Sequence, residues 1–183
     1  MKKDERKQAI AARRALSDEL RRQNSAEICR RLLELPELPS VKTVFSYLAA
    51  WDEVDMTAFN TAMREKGITV AYPVCYGQGL MEAYAPETDA DVCPGPYDIK
   101  SPVPERSKFV EPAEIELVIV PCVAFDRERN RLGHGAGYYD RYLPRCGEFR
   151  CICVAFEAQR LECVTVDEHD RKMDMVITES AVY

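Results

Sequence analysis

Three glycines alternate through RLGHGAGYYD, at positions 133, 135 and 137, with Arg131 before them and Asp140 behind. Lacking Cβ atoms, such a loop can turn successive amides into one concavity and approach phosphate oxygens closely. Arg131 can add a guanidinium fork, the usual bidentate partner of phosphate. A helix following the loop would contribute its first amides and the positive end of its dipole. Asp140 then falls in the first turn, where the dipole favours a carboxylate, and where it could equally hold Mg²⁺ beside phosphate oxygens. The glycines alone would also suit a flexible turn. The company of Arg131, Tyr138, Tyr139 and Asp140 is what points to an anion site. Two familiar nucleotide motifs do not fit: no Gly-Lys-Ser/Thr ending is present, and Gly133 lies twelve positions beyond Pro121.

Eight cysteines raise a disulfide framework or a metal site as further chemistry. No C-x2-C pair occurs, which counts against zinc. The start MKKDERKQAIAARR has no apolar h-region, so a secretory signal is not expected, and Asp4 and Glu5 count against a transit peptide. The expectation is a cytoplasmic protein with reduced thiols. Cys151 and Cys153 alternate with Ile152 and Val154, as small core residues of a strand would. Cys146, just past a helix, is expected to be the most exposed. With no run of about 18 apolar residues, no membrane span is expected.

The net charge of −6 is unevenly spread. Residues 1–31 hold ten Lys/Arg and five Asp/Glu, a local +5 that leaves −11 on the remainder. A positive arm on an acidic body suits an anionic ligand, either a small phosphate or a nucleic acid. Lys2, Lys3 and Arg6 share one helical face by their spacing. Without a ligand such a face is simply solvated.

The elements that must position these residues alternate along the chain. Leu16, Leu20, Ile28, Leu32 and Leu35 recur at helical spacing, with Ser17 able to cap a second helix and break the first near Leu16. Thr43–Leu48, Ile68–Pro73, Met81–Ala85, Glu116–Pro121, Cys151–Phe156 and Met175–Thr178 read as strands, and ELVIVP suits a central one buried on both faces. Asp55 can cap a helix over Thr57–Glu65 that Gly67 ends. Residues 86–112, with Pro86, Pro94, Pro96, Pro102, Pro104 and Pro112, read as one long functional loop. The pattern predicts one α/β domain over residues 1–183: an open, mostly parallel sheet flanked by helices on both faces, a three-layer α/β/α fold. Ligands then collect beyond the carboxyl ends of the strands, at Leu48–Glu53 and after Val120.

The stretch VPCVAFDRERNRLGHGAGYYDRYL resembles the signature of the 5-formyltetrahydrofolate cyclo-ligase family, the 5,10-methenyltetrahydrofolate synthetases. KKDER-KQAI at the start, YLAAWDEVD, and EHDRKMDMVITE near the end fall in the family's places in order, so the resemblance covers almost the whole chain. It implies ATP-dependent closure of 5-formyltetrahydrofolate, with or without a polyglutamate tail, to 5,10-methenyltetrahydrofolate. ADP and phosphate would be released, the formyl oxygen being phosphorylated before N10 attacks. It further implies nucleotide contacts at Lys2, Lys3, Asp4, Glu5 and Arg6 and along Arg131, Leu132, Gly133, His134, Gly135, Ala136, Gly137, Tyr138 and Tyr139. Folate contacts would be Leu48, Glu53 and His134 to Tyr138. Mg²⁺ would sit on Asp140 and Asp170, and Arg131 and Tyr138 would serve the chemistry directly.

Read without the resemblance, Glu53 is a loop acid, Trp51 a core residue, and Asp170 and His169 turn residues. Beside the resemblance, Trp51 and Tyr47 can offer aromatic surface to the folate rings. The chain departs from the family pattern in three places: Cys122 stands where glycine is usual, His134 and Ala136 are the residues between the glycines where a basic one is frequent, and Ser101-Pro102 stands where Glu-Pro is expected. Two other classes share the phosphate signal. A sugar-phosphate isomerase or transferase would turn over without ATP, and a nucleic-acid-binding module would use residues 1–31 with steep salt dependence. The family reading excludes nucleic acid as a partner.

Overall fold

The computed structural model describes residues 1–95, 99–168 and 170–183; Pro96 and His169 therefore lie outside the described residues. The basic N-terminal segment forms α1 (Lys2–Ala15) and α2 (Asp18–Leu33), separated where Leu16 turns extended. The Ser17 hydroxyl accepts the Leu20 amide at 3.2 Å, which starts α2 as its spacing predicts. After β1 (Thr43–Phe45), Asp55 accepts both the amide and the hydroxyl of Thr57 and so opens α3 (Thr57–Glu65). Gly67 leaves that helix at φ +77°, a conformation that suits glycine.

Then follow β2 (Thr69–Gly77), β3 (Leu80–Pro86), β4 (Val92–Pro94), β5 (Lys100–Pro102), β6 (Ser107–Val110), β7 (Leu117–Pro121), β8 (Ala124–Phe125) and β9 (Arg131–Leu132). The chain ends with α4 (Tyr138–Tyr142), β10 (Arg150–Val154) and β11 (Met175–Ile177). Seven strands form one sheet in the order β11-β10-β7-β1-β2-β3-β6, and only β3 runs against the rest. The sheet is thus open and mostly parallel, as the alternation of strands and helices requires.

Period-two alternation assigns the two faces. Val44, Leu117, Ile119, Ile152 and Val154 pack with Ile28 and Leu32 of α2 and Phe59 and Met63 of α3. Phe45, Val118, Val120, Cys151 and Cys153 pack on the other side with Tyr142 of α4 and Leu143. Helix α1 instead lays Ala9 on Ala124 and Leu132, in a smaller cluster at the end of the sheet.

Three local expectations are corrected. Residues 86–112 are not one loop: β4 pairs with β5, and β6 joins the main sheet beside β3, with Tyr84 opposite Phe109. Pro86, Pro94 and Pro102 end strands there, and Pro104 and Pro112 each begin a short 3₁₀ turn. Helix α4 runs only five residues, since Pro144 follows at once and cannot continue it. Its dipole is correspondingly small, so it gives little reason for Asp140. All eight cysteines are unpaired; Cys146 is half-buried, whereas Cys75, Cys93 and Cys163 are exposed.

Candidate active site

The end of β7 and the β8–β9 hairpin bring the glycine loop against the first turns of α1. Between them lies a cavity of about 140 Å³ lined by Lys2, Arg6, Pro121, the whole of Arg131–Asp140, Asp170 and Arg171. Sequence distance between Lys2, the loop and Asp170 is closed here by folding alone. Arg6 Nε donates to the Gly133 carbonyl at 2.8 Å and fastens α1 to the loop. Gly135 has φ +98°, a conformation that calls for glycine, and a Cβ there would stand 3.2 Å from the mobile end of Arg6. Arg131, held by a 3.1 Å bond to the Pro121 carbonyl, lies 3.6 Å from Asp140 and 5.3 Å from the Tyr139 ring centre.

Lys2 Nζ donates to Asp167 and Asp170, each at 2.6 Å. Partial burial opposes the Lys2 charge, but the two carboxylates outweigh it and raise the ammonium above its ordinary pKa. Burial likewise opposes ionisation of Asp170, and hydrogen bonds from Lys2 and the Asp167 amide hold it below the usual carboxylate range. Burial drives the Tyr139 hydroxyl far upward, so it stays neutral.

The donor set fits MgATP. Lys2, Arg6, Arg131 and Arg171 outnumber the two carboxylates on the cavity wall, an excess that phosphate oxygens would neutralise. Asp140 and Asp170 are both on that wall, and Mg²⁺ is commonly held by one or two carboxylates with phosphate and water completing its shell. Among the described residues no group of three or more potential ligands occurs, as that mode of binding allows.

A second cavity of about 360 Å³ opens beyond β1, lined by Tyr47–Trp51, Glu53, Asp55, Thr57, Asn60 and Lys100. A neighbouring one of about 270 Å³ shares Leu48, Thr57, Asn60 and Lys100 with it. Glu53 Oε2 accepts the Ala50 amide at 3.0 Å, and its Oε1 stands 3.6 Å from Nε2 of His134 on the glycine loop. The two predicted ligand regions therefore meet at this pair.

Other positions fall differently. Lys3 is exposed, Asp4 pairs with the terminal ammonium, and Glu5 accepts from the amide and hydroxyl of Thr165; none lines the cavity beside the glycine loop. Tyr47 is buried and donates to the Val54 carbonyl at 2.9 Å, a structural role, whereas Trp51 is 72% exposed rather than core. Cys122 turns into the core beneath Pro121. Sequence reading missed Arg171, Asp167 and Lys100. Arg171 beside Asp170 could have been found from its neighbour, but Lys100 sits in the segment read as loop.

The model of the 5-formyltetrahydrofolate cyclo-ligase family matches residues 1–179. A probable 5-formyltetrahydrofolate cyclo-ligase of Schizosaccharomyces pombe is 31% identical over 182 residues, covering 91% of this chain and 89% of its own. The mouse 5-formyltetrahydrofolate cyclo-ligase is 28% identical over 185 residues, covering 92% and 88%. The NMR structure of Aquifex aeolicus 5,10-methenyltetrahydrofolate synthetase superposes with a TM-score of 0.86 at 33% identity, over 99% of this chain and 91% of that one. With the fold, the signature loop and both chain ends matched together, the chain belongs to the 5-formyltetrahydrofolate cyclo-ligase family.

Proposed function

We propose that the chain closes 5-formyltetrahydrofolate to 5,10-methenyltetrahydrofolate at the expense of ATP, releasing ADP and phosphate, with residues 1–183 acting as one catalytic unit. The observation that carries this reading is the 3.6 Å approach of Glu53 and His134, which sets an opening of about 360 Å³ against a cationic, glycine-lined one. Lys2 and Arg6 are engaged at the cleft and Arg13 is buried, so part of the N-terminal charge is turned inward rather than offered to a nucleic acid.

The formyl oxygen of the substrate is an amide oxygen and cannot leave as oxide. Transfer of the γ-phosphoryl group to it gives an imidate-like phosphate; N10 then attacks the formyl carbon and gives up its proton to solvent, and phosphate departs with the electrons of the C–O bond as the ring closes. The chain's task is positioning and charge stabilisation rather than nucleophilic attack. Arg131 and the loop amides hold the phosphate oxygens, Lys2 and Arg6 neutralise them, and Tyr138 orders the junction of the two ligands. Glu53 accepts hydrogen bonds from pterin N–H groups while Leu48 covers an apolar ring edge. Mg²⁺ on Asp140 and Asp170 would add charge neutralisation at the phosphates. Absorbance of the methenyl product, followed with 5-formyltetrahydrofolate and MgATP, tests the reading. Growth of that band only when ATP is present supports it, and no band, or one independent of ATP, contradicts it.

A further inference from the structure

Helix α1 reaches one cavity directly and the loop that borders the other. Its first turns carry Lys2 and Arg6 to the nucleotide cavity, and two turns later Arg13 is buried against the loop that bears Glu53. Arg13 Nη2 donates to Asp52 Oδ1 at 2.8 Å, with the two side chains only 4% and 10% exposed. Arg14 Nε approaches the other oxygen of Asp52 at 3.3 Å from the solvent side. Asp52 immediately precedes Glu53 in a tight turn closed by a 2.8 Å bond from the Glu53 amide to the Ala50 carbonyl. Inside that turn Trp51 has φ +32°, a left-handed conformation in which a bulky L residue is strained. Such a residue keeps this conformation only where its surroundings over-determine it. Asp52, anchored on its buried side by a helix, supplies that determination.

We propose that Arg13 and Asp52 are a positioning pair that sets the Glu53 carboxylate for folate from the helix that also serves the nucleotide. The inference rests on the folate role of Glu53 given above. A buried ion pair is a poor choice for stability alone, since apolar residues of similar volume often serve as well or better. A fixed partner for Asp52, by contrast, determines where the next residue points. Arg13 Nε has no hydrogen-bond partner among the described residues, so the guanidinium is held for its bond to Asp52 rather than fully satisfied.

The test compares the wild-type protein with Arg13→Met/Asp52→Leu, which removes both charges together. Thermal unfolding is measured alongside calorimetric affinities for 5-formyltetrahydrofolate and for a non-hydrolysable ATP analogue with Mg²⁺. A purely structural pair would move unfolding or both affinities alike. The expected result is a folded double variant with folate affinity lower by about tenfold and nucleotide affinity within about twofold, the scale that misplacing one contact produces. A folded double variant that binds folate as the wild type does overturns the pair's role. Should the double variant fail to fold, Asp52→Asn decides by the same split: selective loss of folate affinity supports the pair, and equal change or none overturns it. A wild-type protein that takes up no 5-formyltetrahydrofolate overturns the functional reading itself, and the pair's role with it.

Discussion

The Nε2 of His134 and the Oε1 of Glu53 lie 3.6 Å apart, although 81 positions separate them in the chain. One comes from the phosphate-type loop and the other from the loop after the first strand. Glu53→Gln keeps the shape of this contact and removes its charge. Folate affinity should fall by the worth of charge-assisted hydrogen bonds, roughly 1.5–3 kcal/mol, while nucleotide affinity holds. Calorimetry showing folate affinity unaltered would displace the pterin from Glu53.

Asp140→Asn should impair use of MgATP more than binding of folate. It takes one charge from the carboxylate pair on the cavity wall and leaves Arg131, 3.6 Å away, without its anionic neighbour. A magnesium titration of activity reads this directly: the variant should need more metal to reach half its maximal rate. Superimposable titrations for variant and wild type would remove Asp140 from the metal's shell.

Thiol chemistry follows burial. Burial pushes Cys151 up to about 12 and Cys29 up to about 11, and raises Cys153 strongly, so these thiols are both hidden and protonated at neutral pH; half-buried Cys146 is likewise raised to about 11. Cys93 and Cys163 are exposed and should react first with a disulfide reagent, followed by Cys75, whose thiol burial also raises. The buried group should react only on unfolding, when all eight titrate. Rapid labelling of Cys151 or Cys153 in the native protein would contradict the packing of β10.

Glu157 ties the last strand to the core by accepting from Arg160, Tyr183 and Thr178. Burial opposes its charge, but these donors outweigh it and hold its pKa below the ordinary value. Its contribution to stability is therefore full above the unfolded value of about 4.3 and is lost as pH falls through the lower folded value. Glu157→Gln should lower the melting temperature at neutral pH by several degrees, in keeping with about 1.5–3 kcal/mol for hydrogen bonds to a charged group. The deficit should shrink in strong acid, and a deficit that stayed constant down to the lowest pH would deny the carboxylate this role.

Much of this was legible in the sequence because it is locally encoded. Ser17 before Asp18 caps a helix wherever it occurs, and the apolar run at Leu117–Val120 needs burial on both faces whatever its neighbours. The glycine loop was legible for the same reason, its spacing being a backbone property. Pairings between distant segments were not. Nothing near Lys2 tells that its ammonium meets Asp167 and Asp170, and nothing near Glu5 that it turns to Thr165. The strands between residues 86 and 112 were hidden because prolines mask short edge pairings that only a neighbouring strand completes. Of the two readings of Trp51 the core one fails, because a turn with positive φ presents the ring to solvent at the mouth of the second cavity.

If the formyl oxygen is phosphorylated before the ring closes, that same oxygen must leave on the phosphate. The glycine loop runs into Tyr138 and Tyr139 on one cavity while His134 of the same loop lies 3.6 Å from Glu53 on the other, the arrangement that direct transfer from γ-phosphate to formyl oxygen would need. Substrate carrying heavy oxygen in its formyl group is turned over with MgATP, and the released phosphate is weighed by mass spectrometry. One labelled oxygen should appear in phosphate for each ring closed. Label left in water or folate, with only solvent oxygen entering phosphate, would contradict it.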